Sequence, residues 1–137
     1  MDKLLRILKA IADPSRIRLL NLCAHGEFTV SELVQVIGQS QPRVSRHLRI
    51  LCDAGLLQRT QQGSWVFYRS FSKGVDAEFV RCLTALIPAK DPTIQLDQQR
   101  LMKLKNDRLQ TATLYFATQR NFRHNLTYSQ PLTCEML

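Results

Sequence analysis

The stretch from residue 29 to residue 69, TVSELVQVIGQSQPRVSRHLRILCDAGLLQRTQQGSWVFYR, constrains this chain more than any other. It opens with a capping box. Thr29 can accept from a free amide of the first helical turn while Glu32 reaches back to the cap, so a helix starts there. Gly38 ends that helix, because glycine enters the left-handed region without steric penalty. Ser40 then caps a second helix after a very short turn, with Pro42 in its first turn. Residues 56–60 and 65–70 read as two short strands joined by Gln61-Gln62-Gly63-Ser64 as a hairpin turn. Helix, tight turn, helix and hairpin together predict a winged helix-turn-helix, a fold that reads DNA.

The second of these helices carries the chemistry. Val44, Leu48 and Leu51 share one face and belong to the core. Gln41, Ser45, Arg46 and Arg49 lie on the side away from Val44, with Arg43 flanking them. An α-helix fits the major groove, where glutamine can pair with an adenine edge and arginine with a guanine edge. The expected DNA-binding set is Ser40, Gln41, Arg43, Ser45, Arg46, His47 and Arg49. Gln62 in the hairpin turn, and Arg59 and Arg69 flanking it, complete the set as groove or backbone contacts. His47 suits a packed, hydrogen-bonded position equally well, and Trp65 suits a core or strand position better than a base contact.

The remainder frames this unit. Leu4, Leu5, Leu8 and Ile11 recur at helical spacing and predict a helix over residues 2–12. Asp13-Pro14 closes it and opens another, with Ile17, Leu20 and Ala24 as its inner stripe. After Lys73-Gly74, Val75, Phe79, Cys82 and Leu86 lie on one helical face. Pro88 and Asp91-Pro92 break the pattern. A long polar helix is expected over residues 93–119, with Ile94, Leu101, Leu104, Ala112 and Tyr115 near one seam, and then a loose tail. The expected fold is mainly α with a small β-hairpin, a winged helix-turn-helix with an additional long C-terminal helix. Residues 1–88 would form the DNA-binding and dimerisation domain, 89–120 the long helix, and 121–137 an irregular tail.

Composition narrows the classes. The 137 residues carry a net charge of +8, an excess that favours polyanions. Charge alone would also suit a non-specific, architectural nucleic-acid binder. No apolar run reaches the roughly 20 residues of a membrane span, and the N-terminal segment lacks the pattern of a signal peptide. The four cysteines, at positions 23, 52, 82 and 134, are scattered, unlike a secreted disulfide framework. A cytoplasmic location is expected. Serine, histidine and aspartate occur at no spacing that groups them, and the five glycines are too few for a phosphate loop. Neither an enzyme nor a bound cofactor is expected.

These residues carry a family resemblance. Ala12-Asp13-Pro14-Ser15-Arg16, Ile17-Arg18-Leu19-Leu20, Gln41-Pro42-Arg43-Val44-Ser45-Arg46-His47-Leu48 and Gly55-Leu56-Leu57 resemble the ArsR/SmtB repressors of bacteria, over about residues 4–87. The resemblance implies a homodimer built from the first helix and the helix after the hairpin. It implies repression at an inverted-repeat operator in double-stranded DNA, and release by an inducer. Residues 91–116 are similar to the linker of members fused to a methyltransferase, although no such domain is expected within these 137 residues. Two metal sites of the family have no counterpart here. Thr29 and Ser31 stand where thiolates would be needed, and Asp97 is followed by Gln98 and Gln99 where histidine would be needed. No metal site is therefore expected. Sulfur-sensing members keep a reactive cysteine where Cys23 stands and a partner on the helix after the hairpin, which here carries Cys82. The resemblance thus leaves open a thiol-based redox or sulfur switch through Cys23 and Cys82.

Overall fold

The structure is a computed structural model that describes residues 1–71 and 73–127. The chain runs α1 (Asp2–Ile11), α2 (Pro14–Ala24), α3 (Val30–Ile37), α4 (Gln41–Asp53), β1 (Leu57–Gln62), β2 (Trp65–Ser70), α5 (Val75–Ala85) and α6 (Pro92–Thr127). It divides into two compact units. The first is Met1–Leu101 and the second begins at Met102.

Local chemistry sets the helix boundaries. Asp13 caps α2, its carboxylate accepting from the Arg16 amide at 3.1 Å, with Pro14 at the first helical position. Thr29 and Glu32 close the expected capping box on α3, and Gly38 ends that helix at φ 74°. α4 departs from expectation at its start. Ser40 occupies the cap position in extended conformation, but its hydroxyl makes no capping bond. The first-turn amides of α4 therefore lack a side-chain acceptor from the cap.

Leu19, Leu20, Leu33, Val44, Leu48, Leu51 and Leu56 are completely buried and form the centre of the first unit. The inner stripe of α2 differs from the expected Ile17, Leu20 and Ala24. Leu19, Leu20, Leu22 and Cys23 are buried, while Ile17 and Ala24 are half-buried. α2 packs against α1, α3, α4, α5 and the hairpin. A helix touched from so many sides buries a wider arc than a single stripe.

The hairpin is antiparallel, its register running from Leu57 opposite Ser70 to Gln62 opposite Trp65. Its turn is tighter than expected, since Gln61 and Gln62 still pair within β1. Only Gly63 and Ser64 connect the strands, with Gly63 at φ 62° as such a turn requires. Phe28 exchanges two backbone hydrogen bonds with Tyr68, at 3.1 and 2.8 Å, which fastens the hairpin to the segment before α3.

α5 has two apolar faces. Ala77 and Val80 pack inward, whereas Val75 and Leu86 are 84% and 79% exposed and Cys82 is also exposed. α6 is longer than expected. Asp91 starts it by accepting from the amides of Thr93 and Ile94, and the helix continues through residues 121–127, which the sequence pattern assigns to an irregular tail. The remainder of that expected tail, residues 128–137 with Cys134, lies outside the described residues.

Candidate nucleic-acid interface

α4 is held on one side and open on the other. Val44, His47, Leu48 and Leu51 are buried, while Gln41, Arg43, Arg46 and Arg49 are exposed and Ser45 is half-exposed. Among the described residues, none of these arginines lies within ion-pair distance of a carboxylate. The first turn of α4 contains no acidic residue, and its cap makes no side-chain bond. The helix thus presents uncommitted guanidinium groups beside a positive helix end, an arrangement that attracts phosphate and leaves donors for base edges.

His47 does not join this face. It is 9% exposed, and its Nδ1 lies 3.5 Å from Nη1 of Arg16. Burial pushes its pKa below the usual 6.5. Asp13 opposes that shift, while Arg16, Arg43 and Arg46 add to it. In helical register His47 stands between Val44 and Arg43, and packing against α2 draws it inward. It packs on the buried side of α4 and is not part of the exposed face.

The hairpin sorts its side chains by face. Arg59 is opposite Tyr68, and Arg69 is opposite Gln58. Neighbouring strand positions alternate, so Arg59 and Arg69 project from opposite faces and do not form a single grip. Gln62 is opposite Trp65, on the same face as Arg69. Trp65 is 65% exposed at the hairpin tip. It is a strand residue as expected but not a core residue, and sequence reasoning left it out of the site. A lone tryptophan beside a two-residue glycine turn was the available signal.

The arginines of α2 serve a different purpose. Arg16 donates through Nε to the Ala10 carbonyl and through Nη2 to the Lys9 carbonyl at 3.3 Å, so it closes the end of α1. Burial alone would raise the pKa of Asp13, but the amide and charge of Arg16 hold it below the usual carboxylate value. Arg18 makes a two-pronged ion pair with Asp97, both contacts at 2.7 Å, and its own pKa rises in response. Sequence reasoning quoted both arginines without seeing these roles.

Cys23 is 2% exposed, and burial pushes its thiol far above the usual value, with Cys52 adding to the shift. A thiol held protonated is a poor nucleophile. Of the two thiols named for a Cys23–Cys82 switch, Cys23 is thus buried and held protonated, and Cys82 is exposed. Two of the residues compared above with family metal ligands, Thr29 and Asp97, are engaged elsewhere. The Thr29 hydroxyl caps α3, and the Asp97 carboxylate is taken by Arg18. Among the described residues, no group of three or more His, Cys, Asp or Glu side chains could hold a metal ion.

Comparison with known proteins decides the family. Residues 13–59 match the profile of the arsR family of bacterial regulatory proteins. The arsenic resistance transcriptional regulator ArsR1 of Pseudomonas putida is 35% identical over 102 residues, which span 72% of this chain and 77% of that protein. The chain belongs to the ArsR family. Among solved structures, the transcriptional repressor BigR of Xylella fastidiosa superposes on 66% of this ArsR-family chain and 88% of its own, with 30% identity and a TM-score of 0.58. The homodimeric winged helix-turn-helix domain Mb0332 of Mycobacterium bovis covers 62% and 74%, with 30% identity and a TM-score of 0.53. The first two relatives are a transcriptional regulator and a transcriptional repressor, and the winged helix-turn-helix expected from residues 29–69 is the DNA-binding fold that this ArsR-family chain shares with the Mb0332 domain. Among the described residues, no helix is long and apolar enough to cross a membrane.

Proposed function

We propose that the chain is a cytoplasmic, dimeric repressor that places α4 in the major groove of an inverted-repeat operator and leaves it when an inducer binds. The observation that carries this reading is the outer face of α4. Gln41, Arg43, Arg46 and Arg49 are exposed there without a carboxylate partner among the described residues, on a helix whose other side is locked into the core. Gln41, Ser45 and the arginines would read base edges, while the free amides beside Ser40 hold a phosphate. Gln62, Trp65 and Arg69 share one hairpin face that would lie against the neighbouring backbone, and Arg59 would contact DNA only from the other face. Occupation of the operator would exclude polymerase, which is how such a protein represses.

Assembly as a pair follows from surface that one chain leaves uncovered. Leu4, Leu5 and Leu8 on α1 are 44–50% exposed, and Val75 and Leu86 stand open on α5. Lys3 lies 3.6 Å from Asp76, which brings the starts of these two helices together. A second copy of the chain would cover both stripes, as a symmetric dimer requires.

The test is a footprint on DNA selected from a random pool. The account expects protection of one short inverted repeat, with half-site centres about 34 Å apart or a multiple of that. Uniform protection without sequence preference would favour the architectural alternative. Leu8→Glu and Phe79→Glu should each shift the sedimentation profile toward monomer and weaken operator binding with it. An unchanged dimer would place the interface elsewhere.

A further inference from the structure

The turn that aims α4 is held from outside the helix-turn-helix. Arg18 Nη2 donates to the Ile37 carbonyl at 3.0 Å, and Arg100 Nη1 donates to the Val36 carbonyl at 3.1 Å. Gln39 Nε2 donates to the Ser15 hydroxyl at 2.7 Å. Val36 and Ile37 end α3, so their carbonyls have no amide of their own helix to accept from. Two guanidinium groups supply the missing donors. They also meet the partial negative charge of the helix end, where cations are favoured.

The fit at Gly38 is close. A Cβ on Gly38 would lie 2.8 Å from Arg100 Nη1, so the arginine fills the space that a side chain would need. Gly38 is required for its φ of 74°, and a side chain there would also displace the end of Arg100. On its other side Arg18 is fixed by Asp97, which is 3% exposed and makes both of its contacts to Arg18 at 2.7 Å. Asp97 and Arg100 sit about one turn apart in the first part of α6. The end of α3, the body of α2 and the start of α6 therefore meet in one joint. Ending α3 does not by itself need such a joint, because the left-handed glycine already does that.

We propose that Arg18, Asp97 and Arg100 are positioning residues for DNA reading, through which the start of α6 fixes the direction in which α4 leaves the α3–α4 turn. This rests on α4 being the reading helix. A dimer must seat two such helices in grooves at fixed spacing, so a small change of direction at Gly38-Gln39 weakens specific binding at both half-sites. Non-specific binding, which depends on charge, tolerates the change. A load on α6 becomes a load on the reading helix.

Asp97→Asn gives the test a useful sign. It removes a negative charge and raises the net charge from +8 to +9, so charge alone predicts equal or tighter DNA binding. The joint predicts the reverse. Operator affinity by fluorescence anisotropy should fall about tenfold, the middle of the range for residues that act through a packed network. Affinity for random duplex should hold or rise, and amide hydrogen exchange at residues 38–41 should quicken. Arg100→Ala, which leaves no buried carboxylate behind, should act in the same direction, and Arg100→Lys should restore part of the loss. This second pair decides the matter if Asp97→Asn does not fold. Operator affinity equal to or above that of the parent, with unchanged exchange at residues 38–41, would overturn the proposal. A parent without preference for any inverted repeat would instead overturn the reading on which the proposal rests. Quickened exchange in the variants would then still identify the joint, and unchanged exchange would remove both.

Discussion

Arg16 and Arg18 on α2 and Arg43, Arg46 and Arg49 on α4 are the same side chain on neighbouring helices, used in opposite ways. The α2 pair is nearly enclosed, with side chains 16% and 14% exposed. Each of the two closes the C-terminal end of another helix. Arg16 takes carbonyls of α1, and Arg18 takes one from α3 together with the Asp97 carboxylate. The α4 arginines are exposed and lack carboxylate partners among the described residues. What separates the groups is the set of acceptors within reach. Orphan carbonyls and a buried carboxylate consume the planar donor fork, whereas a solvent-facing guanidinium stays available to phosphate or guanine. Net charge therefore overstates the DNA-binding surface, since part of the basic excess holds the frame.

Substitutions on the two helices should separate stability from affinity. The largest effect belongs to Arg18→Ala, which leaves Asp97 buried without its cation. It should lower unfolding free energy by about 3–5 kcal/mol in a denaturant titration. Arg18→Met combined with Asp97→Leu should recover most of that loss, because no charge is then left unpaired. A cost below about 1 kcal/mol for Arg18→Ala would mean that the pair behaves as a surface ion pair, and the contrast would fail. Arg46→Ala should move the other quantity. Operator affinity should fall by about 1–3 kcal/mol if Arg46 pairs with a guanine, while stability stays within about 0.5 kcal/mol. Equal losses on operator and random DNA would reduce Arg46 to a phosphate contact.

The smallest effect concerns His47, where the two groups meet. Its pKa in the fold lies below 6.5 because burial disfavours the charged ring. The unfolded chain therefore binds the proton more readily. The stability that neutral His47 contributes is complete above the unfolded value and is lost as pH falls below it. Melting temperature should decline with falling pH through that window, and His47→Gln should flatten the decline. An identical pH dependence in parent and variant would show that His47 is not the group responsible.

The parts of this fold that were legible in the sequence are those fixed by near neighbours. Asp13 caps α2, Thr29 and Glu32 cap α3, and Gly38 turns the chain, all through contacts within a few residues. Val44, Leu48 and Leu51 were readable because helical period alone puts them on one side. Some of the misses involve partners distant in sequence. Nothing near Arg18 announces Asp97, 79 residues away. Nor does the period of α4 say whether His47 belongs with Val44 or with Arg43, since it lies between them. On α5 the pattern identified an apolar face at Val75, Phe79, Cys82 and Leu86, of which Phe79 is half-buried and the other three are exposed. It could not tell that the chain covers the opposite face, Ala77 and Val80, and leaves the first one open. Ser40 was a sound cap by composition, yet its hydroxyl makes no capping bond. Trp65 was expected in the core or in a strand; it is a strand residue, and the two-residue turn leaves it exposed at the hairpin tip.

The most direct measurement combines Arg43→Ala, Arg46→Ala and Arg49→Ala in one protein and records melting temperature together with affinity for the selected operator and for random duplex. The account predicts a melting temperature close to that of the parent, because these side chains hold nothing in the fold. It also predicts loss of operator preference, with a shallower dependence of binding on salt as phosphate contacts disappear. A protein that melts like the parent and still prefers its operator would place DNA reading outside the exposed face of α4 and contradict the central claim.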